Sequence, residues 1–266
     1  MKETVFEKEL QKIEKKEIRI MQAMEKKTPP AWRTKIEEKI PAKALSGLQS
    51  AFQKAFGVIF EKGTGVLEKT YNKDSIEKEF MVRDFAVNLQ ENRKSMRLLK
   101  KHVSSSNLKN MAITSVEGIG LGALGVGLPD IVLFIGMILR GTYEIALKYG
   151  FDYERPEERM LILQMLETVM LSGQEWKVSN KSIDHYIESQ AHIIPEESDI
   201  QEQILRTSEA FATDMLVVKF IQGLPIVGII GGMGNPIYYK KIMEYVELKY
   251  RKRYVVGKIL ESYKKR

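Results

Sequence analysis

The chain has 266 residues, of which 44% are hydrophobic and 29% are charged, and this composition excludes a disordered tail or a fibrous repeat. The absence of cysteine excludes disulfide scaffolds, thiolate metal sites and cysteine nucleophiles. The formal net charge is +7, and we expect no secretory signal, because the first helix is too dense in charge to provide an apolar run.

The net charge is unevenly distributed along the chain. Residues 1–110 carry 24 lysines and arginines against 15 acidic residues, residues 111–235 carry 8 against 17, and residues 236–266 carry 10 against 3. Two basic ends therefore flank an acidic middle. Basic segments of this kind bind nucleic acid, anionic lipid or an acidic protein, or they form solvated helix faces.

The N-terminal segment predicts a long amphipathic helix. Lys2–Lys27 places apolar residues at spacings of three, four and seven, with lysine and glutamate on the other faces, and Thr28-Pro29-Pro30 ends the pattern. We expect residues 1–30 to form a charged helical arm that precedes a single all-helical domain of residues 31–266. The apolar positions of the arm are Phe6, Leu10, Ile13, Ile20 and Met24.

Two further helices are predicted before residue 104. Pro41 opens the first of them, because a proline in the first turn loses no hydrogen bond. Asp74 opens the second, with Glu77 at the capping-box spacing. The apolar stripe of the first is Leu45, Leu48, Phe52, Phe56 and Ile59, and the second continues through Phe85, Leu89, Met96 and Leu99 at spacings of four, seven and three.

Two glycine-rich apolar segments stand out from this pattern. Gly118–Leu139 and Leu216–Gly234 carry one charge each, Asp130 and Lys219, and each contains a Gly-Leu-Pro sequence. Prolines interrupt both segments, so neither provides the uninterrupted run of about 20 apolar residues that a simple membrane span needs. We expect a central helical hairpin that is buried inside a bundle or in contact with lipid.

The rest of the chain again predicts helices. Pro156 starts one with acids in its first turn, a shorter helix is expected over 182–193, and Ser198 with Gln201 caps the next. A last helix is expected from Pro236 to the end. Strand-like alternation nowhere exceeds four residues, so the predicted fold class is an all-α helical bundle.

The basic C-terminal helix is the predicted membrane contact. It follows an uncharged apolar segment directly, and cations in that position are favoured at anionic lipid by roughly 1 kcal/mol each. The candidate contact residues are Lys240, Lys241, Lys249, Arg251, Lys252 and Arg253.

Candidates for catalysis are few. Asp130 is the lone charge of its segment, and we predict that the free amides of the helix started by Pro129, or a cation, hold it. Arg140 and Glu144 have the i, i+4 spacing of an ion pair, and Asp152 lies beyond the same helix.

Metal, cofactor and nucleic-acid sites are not expected. His185 and His192 are seven residues apart, beside Glu188, whereas chelation within one helical turn needs the i, i+4 spacing. The glycines of 118–127 follow no predicted strand, so they do not form a dinucleotide-binding turn. The N-terminal helix interleaves lysine with glutamate, and neither a helix-turn-helix nor a zinc module is visible.

The sequence around the first apolar segment resembles a known family. Leu128-Pro129-Asp130, followed by Leu139-Arg140-x-x-x-Glu144-Ile145-Ala146-x-x-Tyr149-Gly150-Phe151-Asp152, is similar to the EcsC family of bacterial proteins. So are Leu224-Pro225-x-Val227-Gly228 and a helix that ends in Tyr250-x-x-Arg253. The resemblance implies a bacterial, intracellular, helical protein with membrane association, and it supplies no catalytic residue. The candidate site residues are Asp130, Arg140, Glu144, Tyr149 and Asp152.

Two functions are carried forward from the sequence. The first is a non-enzymatic accessory protein at the cytoplasmic membrane face, whose partner is anionic lipid or a membrane protein such as a transporter. The second is a hydrolase with an acidic site between the two Gly-Leu-Pro segments, built on Asp130 and Asp152. High salt would weaken membrane docking through lysine and arginine, and it would leave the hydrolase active.

Overall fold

The computed structural model describes residues 3–27, 35–60, 64–100, 129–189, 193–221 and 236–264, and most of them are helical. No described residue lies in a β-strand, which confirms the all-α prediction. The helices are α1 (Val5–Lys27), α2 (Ala42–Val58), α3 (Thr64–Glu68), α4 (Lys73–Leu89), α5 (Pro129–Lys148), α6 (Pro156–Met170), α7 (Gly173–Ser189), α8 (Glu197–Ile221) and α9 (Pro236–Lys264), with a further helical stretch over 93–100.

The start of α4 illustrates how local signals set the helix ends. The Oδ1 of Asn72 accepts a hydrogen bond from the Ser75 amide at 2.9 Å, so Asn72 is the N-cap and Asp74 lies in the first turn. The prediction of one continuous helix from Asp74 through Leu99 is wrong, because α4 ends at Leu89. A second cap then starts the stretch 93–100, where Asn92 Oδ1 accepts from the Ser95 amide at 3.0 Å.

Two other helix starts differ from the predictions. α7 begins at Gly173, nine residues before the predicted start, and Gly173 has a φ of 55° that only glycine adopts readily. α8 is capped by Asp199, whose Oδ2 accepts from the Glu196 amide at 2.9 Å, and Ser198 with Gln201 does not form the cap. The predicted start of α6 at Pro156 is confirmed.

The core is centred on α8, which packs against α2 and α6. Phe211 of α8 is fully buried, and its ring lies 5.4 Å from that of Phe52, 5.8 Å from that of Phe56 and 6.5 Å from that of Phe134. The side chains of 131–139, the described half of the first apolar segment, are almost all buried in this protein core. The predicted hairpin itself falls on 118–128 and 222–235, which lie outside the described residues.

The N-terminal helix is packed on the C-terminal one. Phe6 and Ile13 of α1 are buried, and α1 contacts α9 along its length. The predicted charged arm of residues 1–30 is therefore held to the helical domain wherever the structure describes it. None of the described helices is both long and apolar enough to cross a membrane.

Candidate functional site

The turn that follows α5 carries the residues of the family-like motif. Gly150 has a φ of 82° and ends the helix, with its amide donating to the Leu147 carbonyl at 3.0 Å and the Phe151 amide donating to the Ala146 carbonyl at 2.9 Å. These two bonds form the helix-ending motif that needs a left-handed residue at its centre. The turn buries Tyr149 and directs the chain towards α9.

A cleft of about 340 Å³ opens beside this turn, between α4, α7 and α9. Five of its twelve lining residues are aromatic and five are charged, and we name it the aromatic cleft. The aromatic residues that line it are Phe80, Tyr149, Phe151, Tyr186 and Tyr254.

The charged groups of the aromatic cleft are paired with one another or with neighbours. The Arg253 guanidinium lies 4.1 Å from the centre of the Phe151 ring and forms an ion pair with Glu158 at 2.6 Å. Lys258 Nζ lies 2.8 Å from an Asp84 oxygen. Asp84 and Glu158 thus each neutralise a cation, and neither is an unpaired carboxylate available for acid or base catalysis.

The tyrosine hydroxyls of the aromatic cleft stay neutral. Burial raises the pKa of Tyr254. The adjacent Asp84, whose Oδ1 accepts a hydrogen bond from the Tyr254 hydroxyl at 2.7 Å, raises this pKa further. Burial also raises the pKa of Tyr149, whose hydroxyl has no hydrogen-bond partner among the described residues. The cleft therefore offers aromatic faces and neutral tyrosines, a set suited to binding rather than to proton transfer near neutral pH.

The four cations in the middle of α9 are buried in ion pairs. Lys249 and Lys252 both lie 2.7 Å from Asp184 of α7, and they lie 2.5 and 3.2 Å from Glu17 of α1. Arg251 pairs with Glu9 of α1, and Arg253 pairs with Glu158 of α6 as described above. The prediction of a lipid contact is corrected for Lys249, Arg251, Lys252 and Arg253, because carboxylates inside the protein already hold their charges.

The two other predicted membrane contacts lie nearer to the surface. Lys240 is exposed and faces Glu244 at 4.0 Å, and Lys241 is half-buried. The signal that distinguishes the two groups is the helix face. Lys249 and Lys252 share the face of α9 that carries the buried Tyr245, and a cation on an apolar face indicates a buried partner.

The remaining predicted site residues do not form one site, although Arg140 and Glu144 are paired. Glu144 is buried and pairs with Arg140 at 3.3 Å, as their spacing predicts, and also with Lys148 at 3.2 Å. Burial lowers the pKa of Lys148 more than its carboxylate partner raises it. Asp152 is exposed and its Oδ1 accepts from the Glu154 amide at 3.0 Å, which is a turn-forming role. The Asp130 side chain lies outside the described residues, and so do the Gly-Leu-Pro segments of the hydrolase hypothesis.

The histidines and carboxylates of the described residues do not cluster as metal ligands. Among the described residues, no group of three or more histidine, aspartate or glutamate side chains could hold a metal ion. His192 is outside this range, and Glu188, the carboxylate between the two histidines, pairs with Lys252 at 3.4 Å.

An exposed apolar surface on α4 was missed by sequence reasoning. Met81, Val82, Phe85 and Leu89 are 64%, 70%, 64% and 67% exposed, and at 3.6 residues per turn they fall within an arc of about 100°. We name these four residues the α4 apolar face. Phe85 and Leu89 lie at the helical spacing that the sequence indicates but face outward, since the opposite side of α4 is buried through Phe80 and Val87.

Similar proteins place these features in a family. The chain matches the model of the EcsC protein family over residues 6–255, a range that includes the five aromatic residues of the aromatic cleft and the four cations in the middle of α9. It is similar to Protein EcsC of Bacillus subtilis (strain 168), with 26% identity over 216 residues that cover 76% of this chain and 75% of that protein. No solved structure matches the chain. The family predicted from Pro129–Asp152 is thus confirmed.

Proposed function

The chain belongs to the EcsC protein family, and on that premise we propose that it is a non-enzymatic helical accessory protein acting at the cytoplasmic face of a membrane. It lies on the lipid surface rather than spanning it. The observation that carries the proposal is the α4 apolar face, which exposes four large apolar side chains side by side.

Two physical features favour lipid over solvent as the environment of the α4 apolar face. A contiguous exposed apolar patch is characteristic of a protein or membrane contact. Exposed cations accompany the patch, with Lys78 one turn before Met81 and Val82 on the same side of α4, and Arg93 and Lys94 just beyond the helix. Apolar side chains that enter the headgroup region, together with cations beside them, are the two components of peripheral binding to anionic lipid.

The aromatic cleft supports a binding role rather than a catalytic one. Its carboxylates are paired with cations, and its tyrosine hydroxyls have raised pKa values. Phe80 and Asp84, on the inner side of α4, belong to the cleft, while the α4 apolar face lies on the outer side. The same helix thus carries both the proposed membrane contact and one wall of the cleft.

Vesicle binding tests the proposal. The purified chain is sedimented with vesicles of phosphatidylglycerol and phosphatidylcholine, and with vesicles of phosphatidylcholine alone. We expect stronger binding to the anionic vesicles, weakening with salt because exposed charges are screened. The Met81→Gln/Phe85→Gln variant should bind about tenfold more weakly, since it removes two inserted apolar side chains.

The matched control removes two exposed apolar residues elsewhere. Ile193 and Ile194 are 79% and 70% exposed, and Ile193→Gln/Ile194→Gln should bind vesicles as the parent does. Equal losses of vesicle binding in the two double variants, or no vesicle binding by the parent, would contradict the proposal. Binding only to membranes that retain their proteins would show that the α4 apolar face contacts a membrane protein instead.

A further inference from the structure

A second cleft, of about 270 Å³, lies between α1, the stretch 93–100 and α9. Its lining is strongly cationic, and we name it the basic cleft. Six cations line it together with a single carboxylate, Glu9: they are Lys8, Lys12, Arg93, Arg97, Lys100 and Arg251.

The carboxylate neutralises only part of this charge. Glu9 pairs with Arg251 and with Lys12, the latter at 3.0 Å. The other four cations of the basic cleft make no ion pair with a described carboxylate. The basic cleft therefore concentrates positive charge that its one lining carboxylate does not balance.

Arg251 provides an independent indication of a missing ligand. Its side chain is more than nine-tenths buried, one of its terminal nitrogens donates to Glu9, and its Nε has no acceptor among the described residues. A buried N–H group without an acceptor is costly, and the cost disappears when a ligand oxygen accepts from it. Burial lowers the pKa of Lys100 and the nearby charge of Arg251 lowers it further, whereas Glu247 and Glu9 raise it by less.

We infer that the basic cleft binds a phosphate-bearing anion. Guanidinium groups match the oxygens of a phosphate and ammonium groups add charge, so a site of arginines and lysines with one carboxylate favours phosphate. The volume is close to the lower limit of about 300 Å³ for ligand pockets, which suits one or two phosphate groups rather than a polymer. The inference does not depend on the α4 apolar face, and it stands if the chain binds no membrane.

Calorimetric titration with pyrophosphate tests the site. We expect the full chain to bind one pyrophosphate, with an affinity that falls as salt rises. Arg97→Gln/Lys100→Gln should weaken binding by about tenfold or more, because two charge-assisted contacts are lost. Both side chains are exposed and unpaired among the described residues, so this variant keeps the parent fold, which its circular dichroism spectrum and melting temperature verify.

The matched control removes two exposed lysines that do not line the basic cleft. Lys39→Gln/Lys43→Gln makes the same change in net charge and should bind pyrophosphate within about twofold of the parent. No pyrophosphate binding by the parent would overturn the inference, and so would equal losses in the two double variants.

The phosphate group can belong to a soluble molecule or to a phospholipid headgroup, and vesicles separate these sources. If Arg97→Gln/Lys100→Gln also weakens binding to phosphatidylglycerol vesicles, and pyrophosphate competes with them, the ligand is the headgroup. If only pyrophosphate binding is lost, the ligand is soluble. The Met81→Gln/Phe85→Gln variant should still bind pyrophosphate, so a failure of the membrane proposal is distinguishable from a failure of this site.

Discussion

Gly150 and Phe80 meet so closely that no side chain fits between them. A Cβ placed on Gly150 would overlap ring atoms Cε1 and Cζ of Phe80. Phe80 belongs to the inner side of α4, so this contact fixes α4 against the turn that follows α5. The glycine of the motif thus serves two purposes at once: it ends a helix, and it admits an aromatic ring.

Substitution of this glycine should destabilise the protein. Gly150→Ala adds a Cβ at a positive φ and against the Phe80 ring, and we expect a loss of about 2–4 kcal/mol in the free energy of unfolding. The control is Gly47→Ala within α2, where a Cβ would meet nothing within 4 Å, and which should raise stability by about 0.5–1 kcal/mol. Urea unfolding of both variants measures the difference, and an unchanged midpoint for Gly150→Ala would contradict the close contact.

The buried ion pairs of α9 should depend on each carboxylate. Asp184→Asn removes a carboxylate that both Lys249 and Lys252 contact. We expect a loss of about 3 kcal/mol in the free energy of unfolding. Glu244→Gln, which disrupts the exposed pair with Lys240, should change stability by less than about 0.5 kcal/mol. Similar unfolding midpoints for the two variants would show that the interior pairs are no more important than the surface pair.

Glu9 should make stability depend on pH in the acid range. Burial alone would raise its pKa, but hydrogen bonds and charges from Arg251 and Lys12 outweigh burial and lower the pKa below its ordinary value of 4.5. The stabilisation is therefore present above pH 4.5 and is lost as pH falls through the lowered pKa. Glu9→Gln should be less stable than the parent at neutral pH by about 2 kcal/mol.

Thermal melts between neutral and strongly acidic pH test the direction of this dependence of stability on pH. The gap between Glu9→Gln and the parent should close as pH falls, because the parent carboxylate becomes protonated and resembles the amide. A gap that is constant with pH would show that the charge of Glu9 contributes nothing.

Replacement by alanine should destabilise the protein far more at Phe56 than at Phe85. Phe56 is fully buried beside Phe211, and Phe56→Ala should cost about 3–5 kcal/mol in the free energy of unfolding. Phe85 is 64% exposed on the α4 apolar face, and Phe85→Ala should change stability by about 0.5 kcal/mol or less. A large loss of stability for Phe85→Ala would mean that the α4 apolar face is covered in the folded protein.

Local chemistry explains what the sequence could predict. The start of α6 depends on a proline and two acids next to each other, and the buried positions of α2 follow its 3.6-residue period at Leu48, Phe52 and Phe56. These features need no knowledge of distant residues. The Arg140–Glu144 pair is predictable for the same reason, since both residues lie on one helix.

Long-range relationships explain what the sequence could not predict. α4 is apolar on two opposite sides, so periodicity alone cannot tell which side faces the core and which, with Phe85, faces outward. The lysines of α9 become interior residues only because Glu17 and Asp184 come from other helices. The basic cleft likewise joins the beginning, the first third and the end of the chain.

The pairing of the first helix with the last has a consequence for synthesis of the protein. Glu17 and the Lys249 that it contacts are 232 positions apart, so the carboxylate has no partner until the ribosome has added 232 further residues. At typical rates this interval is roughly 10–50 s. During that time Phe6 and Ile13 have no α9 to cover them, and the nascent chain carries an open apolar surface that chaperones would recognise. Formation of this pair is thus limited by the rate of translation, and slow translation between the two positions would lengthen the exposure of the first helix.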